Sequence, residues 1–261
     1  PLQLGKPVTA IVGPYRIRSV EYEAISVSTH KTTQEAVRGF GQSPTNFAIE
    51  AGIDKVARFL NLDRFEIRRR NFIEKDEFPY EIPSGTSYDS GDYHTVLSKT
   101  EKLANISSLL AKRDRIRAEG KFAGIGIATC LEPSGGNAGF EPLFNEKNPT
   151  TTWMESCQVK IDLNGSITGI IATTSAGQGH ESLVSTVIGE VLQRNPASIR
   201  ITRTDSLASL PSNSPVGSRM AIMLGGAAQG ASEKIRKQLI RIAAHNLQMP
   251  VDQLEYRNGD V

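Results

Sequence analysis

Asn164-Gly165 stands between two runs of alternating character, and no other pair in the chain leaves the backbone so few options. Before it, Cys157, Val159, Ile161 and Leu163 alternate with polar residues; after it, Ser166 to Thr174 returns. An Asn-Gly pair so placed is the strongest short-range signal for a β-hairpin, because both residues tolerate the positive φ of a tight turn. The returning run leads into Ser175-Ala176-Gly177-Gln178-Gly179-His180. A helix is predicted next, with Val184, Val187 or Ile188, and Val191 inward. Ile199 and Ile201 mark a further strand that ends at Thr204-Asp205-Ser206. Ser209 to Gly230 is a Ser/Pro/Gly segment, and Ile235, Leu239 and Ile242 head a final helix. Leu254 to Arg257 is strand-like and stops at an Asn258-Gly259 turn.

The first half follows the same logic. Val20, Tyr22 and Ala24 alternate with Glu21 and Glu23, which predicts a half-buried strand over Val20 to Thr33. Ala36-Val37-Arg38-Gly39-Phe40-Gly41 is a loop, and Ser43-Pro44 opens a helix with Ile49, Ile53, Val56 and Leu60 on one face. Asp63 with Glu66 resembles a capping box and starts a second helix through Arg68-Arg69-Arg70. Glu77 to Tyr93 reads as loop. One long helix is expected from about Asp92 to Glu119, with Val96, Leu103, Ile106 and Leu110 inward and Gly120 as its stop. Phe122 to Leu131 reads as a strand and Glu132 to Thr152 as a long loop. Hairpins and helices mix without strict βαβ repetition, so the expected class is α+β, with mixed sheets, helices on one side and two subdomains, 1–119 and 120–261.

Composition excludes several functions. The 261 residues carry 30 Lys+Arg against 28 Asp+Glu, a net charge of +2. That balance disfavours nucleic acid as a partner, even with Arg68-Arg69-Arg70 present, since polyanion binding needs a basic excess on one face. No apolar run approaches the roughly 20 residues of a membrane span, and no signal peptide is visible. Two cysteines, Cys130 and Cys157, cannot build a four-cysteine metal site and fit a reducing, cytoplasmic setting. The chain starts at Pro1 without Met, as a fragment or a processed piece would.

Three small-residue loops could carry chemistry. Gly177-Gln178-Gly179 lies between a strand end and a helix start, where glycines let N–H groups approach a ligand and Gln178 can both donate and accept. It is not a GxGxxG, and a plain turn is the bland alternative. Gly217-Ser218-Arg219 combines a hydroxyl, N–H groups and a guanidinium suited to phosphate. Arg38-Gly39-Phe40-Gly41 offers a cation and an aromatic face that could stack on a flat substrate; the bland alternative is a core Phe beside a turn. His180, at a helix start, reads as a solvated or capping residue rather than a ligand, and Glu132 as a surface carboxylate or a base.

The order of these motifs says more than any one of them. Gly13-Pro14-Tyr15-Arg16-Ile17, Ala36-Val37-Arg38-Gly39-Phe40-Gly41, Arg68-Arg69-Arg70-Asn71-Phe72-Ile73, Pro83-Ser84-Gly85, Tyr88-Asp89-Ser90-Gly91-Asp92-Tyr93, Gly177-Gln178-Gly179-His180-Glu181, Thr204-Asp205 and Gly217-Ser218-Arg219 follow one another along nearly the whole chain. This series resembles the molybdopterin-binding subunit of the xanthine dehydrogenase and aldehyde oxidase family. The resemblance implies two partial molybdopterin-binding subdomains and a molybdenum–molybdopterin cofactor, often the cytosine dinucleotide form in bacteria. It implies hydroxylation of an aldehyde or N-heterocycle with water as the oxygen source. Electrons would leave through an iron–sulfur subunit to FAD or another acceptor.

By the same likeness, Arg38 to Phe40 lie beside the metal, with Phe40 packing on an aromatic substrate. Gln178, between Gly177 and Gly179, contacts the pterin or an oxygen ligand of the metal. Thr204, Asp205, Gly217, Ser218 and Arg219 line the pyrophosphate and tail. No residue is put forward as a direct metal ligand. The family's general base, a glutamate in a Gly-x-Gly-Glu-type loop, would lie beyond Val261, so the chain is expected to be a middle slice that works with the remainder of the subunit and with iron–sulfur and FAD partners. Carbon monoxide dehydrogenases carry a Cys in the loop that here reads Arg38-Gly39-Phe40, which speaks against carbon monoxide as substrate. The alternative from another class is a non-catalytic relative, a scaffold that keeps the fold without cofactor.

Overall fold

A computed structural model describes residues 2–32, 37–132, 134, 147, 154–213 and 215–261, and the long loop expected over Glu132 to Thr152 lies almost wholly outside them. The chain divides into two compact units, Pro1–Pro133 and Ser134–Val261.

In the first unit, α1 (Leu2–Gly5) runs into a 3-10 turn over Lys6–Ala10. Helices α2 (Gln42–Phe59) and α3 (Arg64–Asn71) follow, then a two-stranded antiparallel ribbon of β1 (Tyr80–Glu81) and β2 (Ser87–Tyr88). Asp63 opens α3 as the sequence predicts, accepting from the N–H of Phe65 at 2.8 Å and of Glu66 at 3.0 Å. Glu66 does not close the box; it accepts instead from Arg70 one turn on, at 2.7 Å.

The single helix expected over Asp92 to Glu119 is two helices, α4 (Tyr93–Ala104) and α5 (Ile106–Ala118). Asn105 breaks it by adopting φ 46°, a left-handed conformation that Asn tolerates better than most residues. The buried position of α4 is Leu97, while Val96 and Leu103 are exposed.

Two small apolar clusters form this unit: Ala10, Ile11, Val12, Ile73, Ile82 and Tyr88 in one, Tyr15, Phe72 and Leu97 in the other. Beside the second lies a polar hub. Arg68 is fully buried and donates from Nε and Nη2 to Glu50 Oε2 at 3.0 and 2.7 Å, and from Nη1 to Asp54 at 2.9 Å. Glu50 also accepts from the Tyr15 hydroxyl at 2.5 Å and from the N–H and hydroxyl of Thr129 at 3.0 and 2.6 Å. Burial, reinforced by the bond to Glu50, pushes the Tyr15 hydroxyl far above the ordinary phenol range and keeps it a donor. The three consecutive arginines of α3, Arg68 to Arg70, therefore form no common solvated face. Successive helical residues point about 100° apart, so Arg68 goes to the core, Arg69 to Glu101 and Arg70 to Glu66.

Neither predicted strand of this half forms. Val20 to Thr32 is extended and mostly exposed, with no strand partner among the described residues. Residues 121–132 are extended too, but side chains hold their carbonyls: Arg117 takes that of Ala123 at 2.7 Å, Arg64 that of Ile125 at 2.8 Å, and Arg68 that of Ile127 at 3.2 Å. These contacts attach 121–132 to the first unit, so the spatial division falls at Pro133 and not at the end of α5.

The second unit is built on the hairpin. β3 (Cys157–Ile161) pairs antiparallel with β4 (Ile167–Ile171), and β5 (Arg200–Arg203) pairs parallel with β4, giving the order β3-β4-β5. The Asp162 N–H donates to the Ser166 carbonyl at 3.0 Å, which leaves the three-residue loop Leu163-Asn164-Gly165 with Gly165 alone at positive φ. Helices α6 (His180–Leu192) and α7 (Met220–Leu247) pack on the sheet. α7 begins inside the segment read as loop and runs through Gly225, Gly226 and Gly230. The core holds Ile167, Ile171, Val184, Ile188, Leu192 and Leu224, with Ile188 fully buried and Val187 partly buried against it. A Cβ on Gly169 would come within 2.7 Å of Ile188 Cδ1 and 2.8 Å of Ile201 Cδ1, so a side chain at this strand position would push both isoleucine ends aside.

Glu50→Ala should lower stability in urea unfolding by about 3–5 kcal/mol, because it leaves a buried guanidinium without its main counter-ion. Arg70→Ala breaks an exposed pair and should cost no more than about 0.5 kcal/mol. Equal losses in the two variants would refute the central place given to Glu50.

Candidate functional site

A polar concavity of the second unit lies where β4 ends. Ala172, Thr173 and Thr174 face Ser209, Leu210, Ser212 and Pro215 across a cleft of about 400 Å³. Among the described residues its polar side chains are hydroxyls, with no ionisable group. Thr173 is buried and its Oγ1 has no hydrogen-bond partner among the described residues. A buried hydroxyl without a partner costs stability, so it marks a place where a polar ligand atom would be welcome.

The two loops that carry the sequence motifs leave this cleft for helix starts. Gly177 and Gly179 have φ of 98° and 77°, and a Cβ on either would meet nothing within 4 Å, so the backbone there is open to an approaching group. Gln178 folds its side-chain oxygen back to accept from the Ala176 N–H at 2.5 Å, and Ser175 Oγ accepts from the Gly179 N–H at 3.0 Å. His180 begins α6; it is buried rather than solvated, and its Nδ1 has no partner among the described residues. Arg203, at the end of β5, pairs with Glu181 and holds its carboxyl below the usual range. That pair ties the start of α6 to the strand end that leads into Thr204-Asp205. The Asp205 carboxylate accepts from the N–H groups of Leu207 and Ala208, at 2.8 and 3.0 Å, and so shapes its own turn.

Gly217 and Ser218 are both left-handed, with φ of 81° and 55°, and Arg219 directly precedes α7. Arg219 is fully buried and pairs with Glu155, whose side chain is 1% exposed. Glu155 is not legible in the sequence, because a lone glutamate before a strand carries no signal of burial. The structure brings residues 172–174 and 209–215 to one cleft, just ahead of Gly177 and Gly217 respectively.

Arg38, Gly39 and Phe40 belong to the first unit. Gly39 and Gly41 take φ of 82° and 75°, and the Gly39 carbonyl accepts from the Gln42 N–H at 2.9 Å. Arg38 is exposed. Phe40 is only 8% exposed, and the Lys6 ammonium sits 4.8 Å from its ring centroid. Lys6 is 1% exposed and pairs with Glu132 at 3.1 Å, while its carbonyl accepts from Gln42 Nε2 at 2.9 Å. Phe40 is thus the buried residue of the bland alternative, its ring against a cation, and Glu132 is a partner of Lys6. Neither the burial of Lys6 nor its place over Phe40 has any trace in the sequence. A further cleft of about 480 Å³ opens between α2 and residues 127–132, lined by Gln42, Phe47 and Cys130 among others.

Comparison with known proteins places this geometry. Two family profiles, each described as a molybdopterin cofactor-binding domain, match residues 1–72 and 99–261. The chain belongs to the molybdopterin-binding family of the molybdenum hydroxylases. It is 31% identical over 247 residues to the nicotine 6-hydroxylase large subunit of Paenarthrobacter nicotinovorans, covering 95% of this chain and 30% of that one. The carbon monoxide dehydrogenase large chain of Hydrogenophaga pseudoflava is 32% identical over 213 residues, covering 80% and 26%. Quinoline 2-oxidoreductase from Pseudomonas putida 86 superposes with a TM-score of 0.85 at 28% identity, over 99% of this chain and 33% of that one. The chain thus spans about a third or less of the length of these relatives. The α+β architecture with a mixed sheet is the one expected from the sequence.

The second unit suits the family's ligand. A pterin with its phosphates asks for many uncharged donors and close backbone approach, not for side chains bonded to metal. The hydroxyl cleft with the unpartnered Thr173 Oγ1 supplies the first, and the uncovered backbone at Gly177 and Gly179 the second. Among the described residues, no group of three His, Cys, Asp or Glu side chains could hold a metal ion directly.

Two outcomes follow. Lys6→Met should speed tryptic cleavage after Arg38 roughly fivefold for each kcal/mol of lost anchoring, and an unchanged rate would show that Lys6 does not hold the loop. Burial pushes the Cys157 thiol up to about 11, so iodoacetamide at pH 8 should label the exposed Cys130 first. Labelling of Cys157 should then rise with pH toward 11, in step with its thiolate fraction.

Proposed function

We propose that this chain is the cofactor-holding part of a molybdenum hydroxylase that oxidises an N-heterocycle or an aldehyde at carbon, with water as the oxygen source. The observation that carries the reading is the junction of the Gly177-Gln178-Gly179 and Ser209–Arg219 loops with a neutral, hydroxyl-lined cleft, in a chain whose two halves both match molybdopterin-binding profiles. When bound, the molybdenum–pterin group supplies oxygen transfer to carbon and takes up the electron pair.

The roles of this chain's residues follow from their chemistry. Gly177 and Gly179 leave the backbone uncovered at the start of α6, where the helix terminus favours negative charge. Gln178 presents an amide to the pterin or to an oxygen beside the metal. Thr204 and Asp205 shape the turn around the tail, and Gly217 and Ser218 lie at the pyrophosphate, in a loop that the buried Arg219 holds from inside the protein. The left-handed pair at Gly217 and Ser218 gives that loop its sharp bend. In the first unit, Arg38 and Gly39 form the loop beside the metal, and Phe40 fixes the shape of that loop through Lys6.

The substrate class is narrowed by what the relatives are named for. Nicotine and quinoline are both N-heterocycles, and the loop at Arg38 to Phe40 holds no cysteine. Partners are an iron–sulfur subunit, an FAD subunit and the remainder of the molybdopterin subunit, as multi-subunit relatives suggest. The cytosine dinucleotide form of the cofactor is part of the proposal. Among the described residues no helix is long and apolar enough to cross a membrane.

Metal analysis and oxidative pterin extraction on the complete gene product, purified with its associated subunits, test this reading. Stoichiometric molybdenum with released pterin and cytidine monophosphate is expected. Gly177→Ala, which forces a Cβ onto a φ of 98°, should reduce cofactor content. An assembled complex free of molybdenum and pterin would overturn the reading in favour of a scaffold that keeps the fold alone.

A further inference from the structure

Residues 154–156 and 211–213 are stitched together just before β3. The Met154 carbonyl accepts from the Asn213 N–H at 3.2 Å, and the Ser156 hydroxyl donates to the Pro211 carbonyl at 2.7 Å. Between them, Glu155 receives the Ser212 hydroxyl at 2.6 Å, the Asn213 N–H at 3.2 Å and the guanidinium of Arg219. One carboxylate therefore reaches both ends of the segment 212–219. The same segment gives Ser212 and Pro215 to the cleft that Thr173 lines, and it contains the left-handed Gly217 and Ser218.

Left-handed residues and a Ser/Pro/Gly composition do not hold a loop by themselves. Some interaction must offset the conformational entropy of ordering it. No apolar side chain of residues 211–219 belongs to the core of this unit, which begins again at Met220. The charge pair is buried on both sides, so solvent screening is weak and its geometry is set by the surrounding hydrogen bonds.

We propose that Glu155 is the positioning residue of the cofactor loop. Its carboxylate draws Ser212, Asn213 and Arg219 to one point and so fixes the loop around the ligand, and Arg219 serves as the counter-ion of Glu155 and not as a phosphate contact. The proposal rests on the reading of this chain as cofactor-holding and adds to it a residue outside the loop motifs.

Hydrogen exchange followed by mass spectrometry, together with molybdenum content, tests it on the complete gene product with its associated subunits. In Glu155→Gln, amides of 212–219 should exchange at least about tenfold faster, as expected when a charged hydrogen-bonded partner is lost. The amides of β3 and β4 should stay protected, and molybdenum content should fall. Glu155→Asp, which keeps the charge, should recover part of both. Should Glu155→Gln fail to fold, Ser156→Ala carries the test: it removes one stitch outside the cleft and should speed exchange at 212 and 213 about two- to tenfold and weaken molybdenum retention on dialysis. A folded Glu155→Gln with wild-type loop exchange overturns the proposal, as does a loosened loop that keeps its full molybdenum, or a Ser156→Ala chain unchanged in both measures. A wild-type complex without molybdenum overturns the functional reading instead, while loop exchange still decides whether Glu155 is the anchor.

Discussion

A buried carboxylate holding a buried guanidinium is the interaction on which each unit depends. Glu50 with Arg68 organises the first and Glu155 with Arg219 the second. Taking such charges out of water is expensive, and the pair survives only when hydrogen bonds satisfy what remains of each group. On the carboxylate side both pairs recruit neighbours distant in sequence: Tyr15 and Thr129 on Glu50, Ser212 and Asn213 on Glu155. The result is positional order in segments that lack a strand partner. Residues 121–132, and Ser212, Asn213 and Arg219 of the second unit, are held because their polar groups have charged partners to reach.

This arrangement explains the character of the candidate site. Where the sequence suggests that a guanidinium reaches a phosphate, the structure puts that guanidinium inside the protein and lines the cleft with hydroxyls. Charge is used to shape the loop, and neutral donors face the cleft. A ligand that brings its own negative charge and its own metal then needs only a surface of oriented N–H and O–H groups, which helix starts and left-handed turns provide. The Lys6, Phe40 and Glu132 contact in the first unit follows the same economy: a buried cation orders a loop whose exposed member is Arg38.

Much of the second unit was legible because its signals are local. The hairpin around Asn164-Gly165, the strand at Ile199 to Ile201 and the helix after His180 depend on residues a few positions apart, and alternation or helical spacing records that directly. Asp63 capping α3 is legible for the same reason. The errors fall where a distant group decides. Val20 to Thr33 and Phe122 to Leu131 have the pattern of strands, but a strand exists only if another edge pairs with it. Side chains of Arg64, Arg68 and Arg117 take the second segment's carbonyls instead. Asn105 could have stayed helical, and its left-handed turn splits one long periodic run into two helices. Glycines at 225, 226 and 230 suggested loop, but α7 runs through them because Leu224 and Ala228 pack into the core.

By itself the sequence determined the α+β class, the hairpin, the two glycine-bearing turns ahead of helices, and the ordered string of motifs that tied the chain to molybdopterin-binding proteins. Each of these is written in neighbouring residues or in their order. Tertiary structure alone decided which arginines are buried, that Phe40 covers Lys6, that Glu155 anchors a loop more than fifty positions away, and that Thr173 opens onto a cleft with Ser209 and Ser212. The physical reason is that burial of a charge depends on what surrounds it in space, and no local pattern of one chain encodes the desolvation that makes such a contact decisive.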